Sequence, residues 1–255
     1  MVTAAGWPPA VTLRNEGGRS PFVLLCEHAS RHIPVEYNNL GLPEAEVRRH
    51  IGWDIGAAEV AARLSDLLDA PLFLAGYSRL LIDLNRPLHS AGLIPARSEA
   101  TDIPGNLNLD PAERKRRIEH IFAPFHDRVA AMLEHRLARG VPTILVTVHS
   151  FTPVYLGEAR PWHAGILFDR SAAFATRLID RLSREPGLVV AGNQPYRITM
   201  DEDYAIPRHG QDRGLDAVLI EIRNDRIATP EGAQQWAERL ARALAPEVGG
   251  GSAPP

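Results

Sequence analysis

The amino-acid sequence predicts an α/β fold, a three-layer sandwich whose sheet is mixed and mostly parallel. Short apolar runs alternate with segments that carry apolar residues at helical spacing, which is typical of βα units. The first run, Phe22–Cys26, is apolar throughout, as expected for a strand that is covered on both faces. Because no linker, repeat or charge block interrupts residues 21–245, we expect a single domain there.

The other elements follow in chain order. Further apolar runs predict strands at 71–75, 80–84, 143–148, 164–168, 187–190 and 217–222, and helical spacing predicts helices at 55–68, 111–139, 172–184 and 230–244. Asp110 is expected to cap the helix that Pro111 opens, with Glu113 as its reciprocal capping partner. Residues 1–20 are expected to be an extended N-terminal segment, and residues 246–255 a flexible tail.

Composition argues against several classes of protein. The formal net charge of -3 gives no reason to expect a nucleic-acid or membrane partner, so a small molecule is the expected ligand. No apolar run reaches the roughly 18 residues of a membrane span, and the N-terminus lacks the pattern of a signal peptide. Since Cys26 is the only cysteine, we expect a cytoplasmic protein without disulfides. The oligomeric state is not indicated.

Three predicted strands carry polar side chains at or near their carboxyl ends. Glu27 and His28 follow the first strand, His149 and Ser150 follow the strand at 143–148, and Glu221 lies within the last strand. Burying such groups without partners costs several kcal/mol. A divalent metal would partner them, and two histidines with one carboxylate form a known catalytic zinc set.

The third metal ligand must be chosen between two acids. Glu27 adjoins His28, so on a regular strand the two side chains point to opposite faces. Asp54 opens the following helix, on the same side of the sheet. We therefore predict His28, Asp54 and His149 as ligands, with Glu27 behind them, while Glu27 stays the alternative ligand. Taken singly, Asp54 could be a helix N-cap, and either histidine could be a hydrogen-bonded structural residue.

Two further clusters could contact a substrate. Arg86 with Asn85 could hold a carboxylate, because a guanidinium presents two parallel donors, and Asp83 could orient an arginine such as Arg79. The alternative is a structural Asp–Arg pair.

The second of these clusters lies between two predicted strands, in the stretches 193–196 and 204–210. Polar stretches of this kind are typical of a binding loop or lid. Within it, Arg208 and His209 could contact substrate or a developing oxyanion. The alternative is a solvated surface loop.

The motifs CEHAS, WDIGA, SRLLIDLNRP, VHSFTP and IEIRND occur in this order and together resemble the N-formylglutamate amidohydrolase family over residues 21–244. The DLNR segment also resembles the aspartoacylase and zinc-carboxypeptidase group. The resemblance implies a zinc-exopeptidase (phosphorylase/hydrolase-like) fold, with 21–245 as the catalytic domain. It also implies metal-dependent hydrolysis of an N-acyl amino acid, with one Zn²⁺ expected, although other divalent metals accept similar ligands.

The resemblance also implies roles for individual residues. His28 and His149 match metal positions, Glu221 matches a strand glutamate that serves as general base, and Asn85 and Arg86 match substrate-binding residues. We add Arg79 as a catalytic contact to the oxyanion and Ser150 as a substrate contact. The first motif reads Glu-His-Ala-Ser where family deformylases tend to have His-Ser-Gly, so the acyl group and the amino acid stay open.

Two other functions stay open at this point. The metal could serve hydrolysis of another N-acyl amino acid or of a short peptide. Alternatively, the chain could be a non-catalytic α/β module that binds an anionic metabolite through Arg79, Arg86 and Arg208. A serine hydrolase that uses Ser150 is disfavoured because the sequence has no Gly-x-Ser-x-Gly elbow.

Overall fold

The computed structural model describes residues 7–248 of the chain. Its strands are Val11–Arg14 (β1), Phe22–Cys26 (β2), Leu72–Ala75 (β3), Arg97–Ser98 (β4), Thr101–Asp102 (β5), Ile144–Phe151 (β6), Val154–Tyr155 (β7), Glu158–Ala159 (β8), Ala164–Leu167 (β9), Val190–Gly192 (β10) and Asp216–Arg223 (β11). Its α-helices are Glu44–Val47 (α1), Ala57–Leu68 (α2), Pro111–Arg117 (α3), Ala123–Ala138 (α4), Ala172–Ser183 (α5) and Pro230–Val248 (α6).

Seven strands form the central sheet, in the order β1-β3-β2-β6-β11-β9-β10. Strands β3, β2, β6 and β11 are parallel neighbours, and so are β9 and β10. The pairs β1–β3 and β9–β11 are antiparallel. The sheet is therefore mixed and mostly parallel, as the sequence predicts.

Helices cover both faces of this sheet. On one face, α2, α5 and α6 pack on alternate strand residues such as Leu24, Val148 and Ile220. On the other face, α4 packs with the segment 80–94 and with Ala205 and Ile206 over the intervening strand residues. The two hydrophobic clusters make a three-layer sandwich, which confirms the predicted fold class. Within residues 7–248, no helix combines the length and the apolar character needed to cross a bilayer.

The segment 80–84 is not the strand that its apolar residues predict. Leu80, Leu81, Ile82 and Leu84 are all buried, yet the backbone forms turns and pairs with no strand of the sheet. The run is apolar because it fills the space between the sheet and α4. An apolar run indicates that a segment is buried, but it does not by itself distinguish a strand from an irregular segment packed in the core.

Other boundaries also differ from the prediction. The N-terminal segment contains an edge strand, β1, which pairs antiparallel with β3. The strand expected at 187–190 begins only at Val190, and α6 continues through Val248 into the predicted tail. Residues 249–255 lie outside the described part of the chain.

The long helix predicted at 111–139 is present as α3 and α4, joined by a π-helical turn at Ile118–Phe122. Asp110 caps it as expected, because its side chain accepts a hydrogen bond from the Ala112 N–H at 2.8 Å. Glu113 does not complete a capping box. Its carboxylate instead accepts hydrogen bonds from the Tyr37 hydroxyl at 2.7 Å and the Arg117 Nε at 2.9 Å. These bonds tie α3 to the segment around Tyr37.

Candidate active site

The candidate site lies at the carboxyl ends of the parallel strands, on the face of the sheet that α4 covers. His149 of β6 and Glu221 of β11 are direct neighbours in the strand register, so their side chains share one face. His28 follows the end of β2, and its carbonyl accepts a hydrogen bond from the Asp54 N–H at 3.0 Å. This backbone bond fixes the loop before α2 beside β2.

The three predicted metal ligands lie together and are buried. Asp54 Oδ2 is 3.0 Å from His149 Nδ1 and 3.4 Å from His28 Nδ1. The two imidazole rings meet edge to face with their centroids 4.7 Å apart. One ligand atom from each of the three residues lies within 4.8 Å of the others, so the cluster could hold one ion.

A carboxylate contacts the outer nitrogen of each histidine. His28 Nε2 is 2.7 Å from Asp83 Oδ1, and His149 Nε2 is 3.0 Å from Glu27 Oε2. An acid in this position fixes the tautomer of an imidazole and keeps Nδ1 free to bind a metal. Glu27 therefore contacts the side of His149 that faces away from Asp54, and Asp83 has the same relation to His28.

The hydrogen bonds of the cluster are incomplete in a way that fits a metal. His28 Nδ1 and Asp54 Oδ1 are buried and have no hydrogen-bond partner within residues 7–248. Buried polar atoms are rarely left unpartnered, and a set of two nitrogens and a carboxylate oxygen suits zinc. Asp54 is not the N-cap of α2, since Gly56 occupies that position and the Asp54 carboxylate accepts from the Ser150 N–H at 3.1 Å.

The charges in the cluster depend on one another. Burial alone would lower the pKa of His149, but Glu27 and Asp54 outweigh it and hold the pKa well above its usual value. Burial alone would raise the pKa of Asp54, yet His28 and His149 keep it well below the usual range. The Asp54 carboxyl group is therefore ionised and available as a ligand.

Arg79 connects the cluster to the cavity. Its guanidinium donates to Asp83 Oδ2 from Nε at 3.1 Å and from Nη2 at 2.8 Å, and Nη1 is 3.5 Å from Asp54 Oδ1. Burial would raise the pKa of Asp83, but Arg79 and then His28 hold it well below its usual range. The Asp–Arg pair considered from the sequence therefore exists and borders the site.

The pKa of Glu221 is shifted in the opposite direction to those of Asp54 and Asp83. It is buried, and its Oε2 has no hydrogen-bond partner in the described part of the chain. Burial, with a further contribution from Asp54, raises the pKa of Glu221 to about 8, and His149 opposes this shift. A carboxyl group with a pKa near neutrality can take up and release a proton during a reaction.

A cavity of about 530 Å³ opens over these groups. Of the residues that the sequence singles out, these line it: His28, Arg79, Asp83, Asn85, Arg86, His149, Ser150 and Glu221. The Ser150 hydroxyl donates to the Ile55 carbonyl at 3.0 Å. Asn85 Oδ1 accepts from the N–H groups of Tyr204 and Ala205, and Arg86 donates to the Glu202 carbonyl. Asn85 and Arg86 thus hold the loop at 199–205 as well as facing the cavity.

Several cavity residues are not predicted from the sequence. They include His50, Tyr155, Tyr196, Arg197 and Asp203. His50 Nδ1 lies 3.8 Å from Asp54 Oδ1, and burial lowers the pKa of His50 to about 4. The spacing of four residues between His50 and Asp54 was an available signal. Tyr196 lies in the polar loop that the sequence does single out as a binding loop.

Arg208 and His209 lie away from the cavity, which does not fit the substrate contact expected for them. Arg208 is exposed and pairs with Asp212 at 3.1 Å. His209 is buried, and its Nε2 is 2.9 Å from His126 Nδ1, while His126 Nε2 is 2.9 Å from the Leu84 carbonyl. A π-helical turn at Ala205–Gly210 directs His209 into the core beside α4.

This buried histidine pair predicts a pH dependence of stability. Burial lowers the pKa of His209 to about 3, whereas an unfolded histidine titrates near 6.5. Between these values the unfolded chain binds more protons, so stability is lost as pH falls, by up to about 1.4 kcal/mol per pH unit. His209→Asn is expected to flatten that slope in urea denaturation over this pH range. The exposed His135→Asn serves as control, and equal slopes for the two variants would contradict the prediction.

Comparison with known proteins agrees with this description. Fold and cavity define the class of α/β sandwich proteins that carry acids and imidazoles at the carboxyl edge of the sheet. Within that class, the chain belongs to the N-formylglutamate amidohydrolase family, whose model matches residues 20–228. The family resemblance seen in the sequence is thereby confirmed, and the chain is an amidohydrolase by family.

Solved structures share the fold of this chain. A gene product of Agrobacterium tumefaciens is 38% identical, with a TM-score of 0.89 over 94% of this chain and 96% of that one. The N-formylglutamate amidohydrolase of Ralstonia eutropha is 21% identical, with a TM-score of 0.74 over 94% and 98%. The tripeptide-bound cell-shape determinant Csd4 of Helicobacter pylori shares the fold alone, at 10% identity and a TM-score of 0.50 over 93% and 55%. Comparison with curated proteins gave no match.

Proposed function

We propose that this protein is a metal-dependent amidohydrolase that removes the N-formyl, or another N-acyl, group from a small carboxylate-bearing amino acid such as N-formylglutamate. One observation carries the proposal. Both histidines turn Nδ1 toward the same Asp54 oxygen, at 3.0 and 3.4 Å, while Asp83 and Glu27 contact their outer nitrogens. Membership of the N-formylglutamate amidohydrolase family supports the substrate class.

His28, Asp54 and His149 would hold the ion, for which zinc is the first candidate because the ligands combine nitrogen and oxygen. When bound, such an ion lowers the pKa of water and polarises a carbonyl group. Asp83 and Glu27 keep the histidines in the ligating tautomer. Arg79, held by Asp83, contributes positive charge at the cavity wall.

Glu221 moves the protons of the reaction. As a carboxylate it takes one proton from the attacking water as the new C–O bond forms at the acyl carbon. The electron pair of the carbonyl moves to its oxygen, near Arg79. When the tetrahedral species collapses, the C–N bond breaks and Glu221 returns the proton to the leaving amine. The products are formate, or another carboxylic acid, and the free amino acid.

The experiment measures the metal content of the purified chain together with formate release from N-formyl amino acids. We expect one zinc-equivalent per chain, and activity that a chelator abolishes and added metal restores. A panel with N-acetyl amino acids and short peptides defines the acyl group. Metal-independent activity, or an inactive metal-loaded chain, would refute the proposal, and ligand binding without turnover would favour the non-catalytic alternative.

Arg86→Ala is expected to raise KM for substrates that carry a free carboxylate. A charge-assisted hydrogen bond contributes about 1.5–3 kcal/mol, so KM should rise on the order of tenfold or more for N-formylglutamate. For the corresponding amide the rise should be much smaller. Arg208→Ala is the matched control, because its guanidinium lies outside the cavity and pairs with Asp212. If KM rises equally for acid and amide, Arg86 does not anchor the carboxylate.

A further inference from the structure

Arg160 is a buried cation that has no acidic partner among the described residues. Its side chain lies beneath two aromatic rings, with the guanidinium carbon 4.4 Å from the centroid of Tyr155 and 4.9 Å from that of Tyr196. Its Nη1 donates to the Tyr196 hydroxyl at 3.0 Å, and Arg160 is only 9% exposed. Among residues 7–248 it forms no ion pair with a carboxylate. A buried charge without a counter-ion is costly, which suggests that it has a role at this position.

The contact with Arg160 determines what the Tyr196 hydroxyl can do. A phenol has one proton to donate and two lone pairs that accept. Arg160 occupies a lone pair, so the proton of Tyr196 points elsewhere, and no acceptor for it lies within hydrogen-bond distance among the described residues. Tyr196 is part of the cavity wall. The contact with Arg160 thus orients the Tyr196 hydroxyl. Its proton is available to donate a hydrogen bond to a molecule in the cavity.

Backbone packing places the loop that carries Tyr196 against the strand next to Glu221. Gly165 of β9 is the register partner of Glu221, and the Gln194 carbonyl lies directly over it. A Cβ atom on Gly165 would come within 1.6 Å of that carbonyl oxygen, so only glycine permits the approach. The loop that carries Tyr196 therefore rests on the strand beside Glu221.

Electrostatics favours the protonated form of this hydroxyl. Burial raises the pKa of Tyr196, and the Glu221 carboxylate raises it further, while Arg160 and then Arg79 oppose the shift. Because its pKa is raised, the hydroxyl keeps its proton at neutral pH and can act as a hydrogen-bond donor.

We propose that Tyr196 is a further catalytic residue, whose hydroxyl donates a hydrogen bond to the carbonyl oxygen of the scissile amide, and that Arg160 is its positioning residue. This inference rests on the proposed amidohydrolase function. As water adds to the acyl carbon, the carbonyl oxygen gains negative charge, and the hydrogen bond from Tyr196 strengthens. Tyr196 keeps its proton throughout, because Glu221 carries the proton that passes from water to the amine.

The test uses the zinc-loaded full-length chain with N-formylglutamate as substrate. Tyr196→Phe keeps the ring over Arg160 and removes only the hydroxyl. We expect kcat to fall on the order of 100-fold while KM changes little, because the lost bond forms chiefly in the transition state. Tyr204→Phe is the matched control, since Tyr204 packs on Phe122 and His126 and does not line the cavity.

The role of Arg160 is tested by a double-mutant cycle. Arg160→Met should lower kcat in the natural chain and have no further effect in the Tyr196→Phe background, because Arg160 acts through the hydroxyl. If Arg160 contributes only to structure, Arg160→Met should lower kcat equally in both backgrounds. That result would overturn the role of Arg160 as a positioning residue. If Arg160→Met does not fold, Tyr196→Phe decides the proposal alone.

The outcomes also separate this inference from the proposed function. An active natural chain with unchanged kcat in Tyr196→Phe overturns the role of Tyr196 and leaves the hydrolase in place. A natural chain that binds zinc but cleaves no N-acyl amino acid overturns the proposed function and this inference with it. A selective loss of kcat in Tyr196→Phe, with zinc content and melting temperature retained, supports both.

Discussion

Glu221→Gln is expected to abolish most turnover while the protein stays folded and keeps its metal. The amide has the shape of the acid but cannot take a proton from water or return one to the amine. Loss of general acid–base catalysis costs roughly 100- to 10,000-fold in rate. Because burial already raises the pKa of Glu221 to about 8, an uncharged side chain is tolerated at this position, and thermal stability should change little.

The measurement is kcat and KM for formate release, together with zinc content and melting temperature. We expect the loss in kcat, since Glu221 acts on the reacting atoms and does not anchor the carboxylate. Glu134→Gln is a control of the same chemistry on the surface of α4, where Glu134 is 68% exposed. A Glu221→Gln variant with ordinary turnover would remove Glu221 from the mechanism.

The sequence predicts an element of the fold correctly where the apolar pattern of the segment matches the way the segment is buried. Phe22–Cys26 is a strand with both faces covered, and its five apolar residues require a partner on each side. The segment 80–84 has an equally apolar pattern, but its neighbours are α4 and the sheet surface, contacts that no local pattern encodes. Strand β1 has alternating half-buried and exposed residues, a weak signal in a four-residue edge strand.

The centre of the site was also predictable, because its residues lie at or near the carboxyl ends of predicted strands. His28, His149 and Glu221 are polar groups at the ends of apolar runs, so the carboxyl edge of a parallel sheet brings them together. Tyr196 and Arg160 come from loops, and their meeting depends on the approach of the Gln194 carbonyl to a glycine. That contact is a property of tertiary packing. His209 is a residue that the sequence predicts to contact substrate but that tertiary structure removes from the site. A π-helical turn directs its side chain into the core.

His149→Ala is expected to remove the metal and destabilise the protein. The substitution deletes one of the three candidate ligands. It also leaves Asp54 and Glu27 buried without the imidazole that both of them contact at 3.0 Å. Removing one partner of a buried charged pair costs roughly 3 kcal/mol or more, so the urea midpoint of the metal-free variant should fall below that of the metal-free natural chain.

Zinc content and its coupling to stability distinguish a ligand from a structural histidine. Because an ion that binds only the folded state stabilises it, added zinc should raise the melting temperature of the natural chain and leave that of His149→Ala unchanged. His135→Ala, an exposed histidine on α4, controls for adventitious binding and should keep both the zinc and the response. If His149→Ala retained a full equivalent of zinc and the same thermal response, His149 would be one of the buried, hydrogen-bonded histidines of the core. The ion would then require a different set of ligands around Asp54.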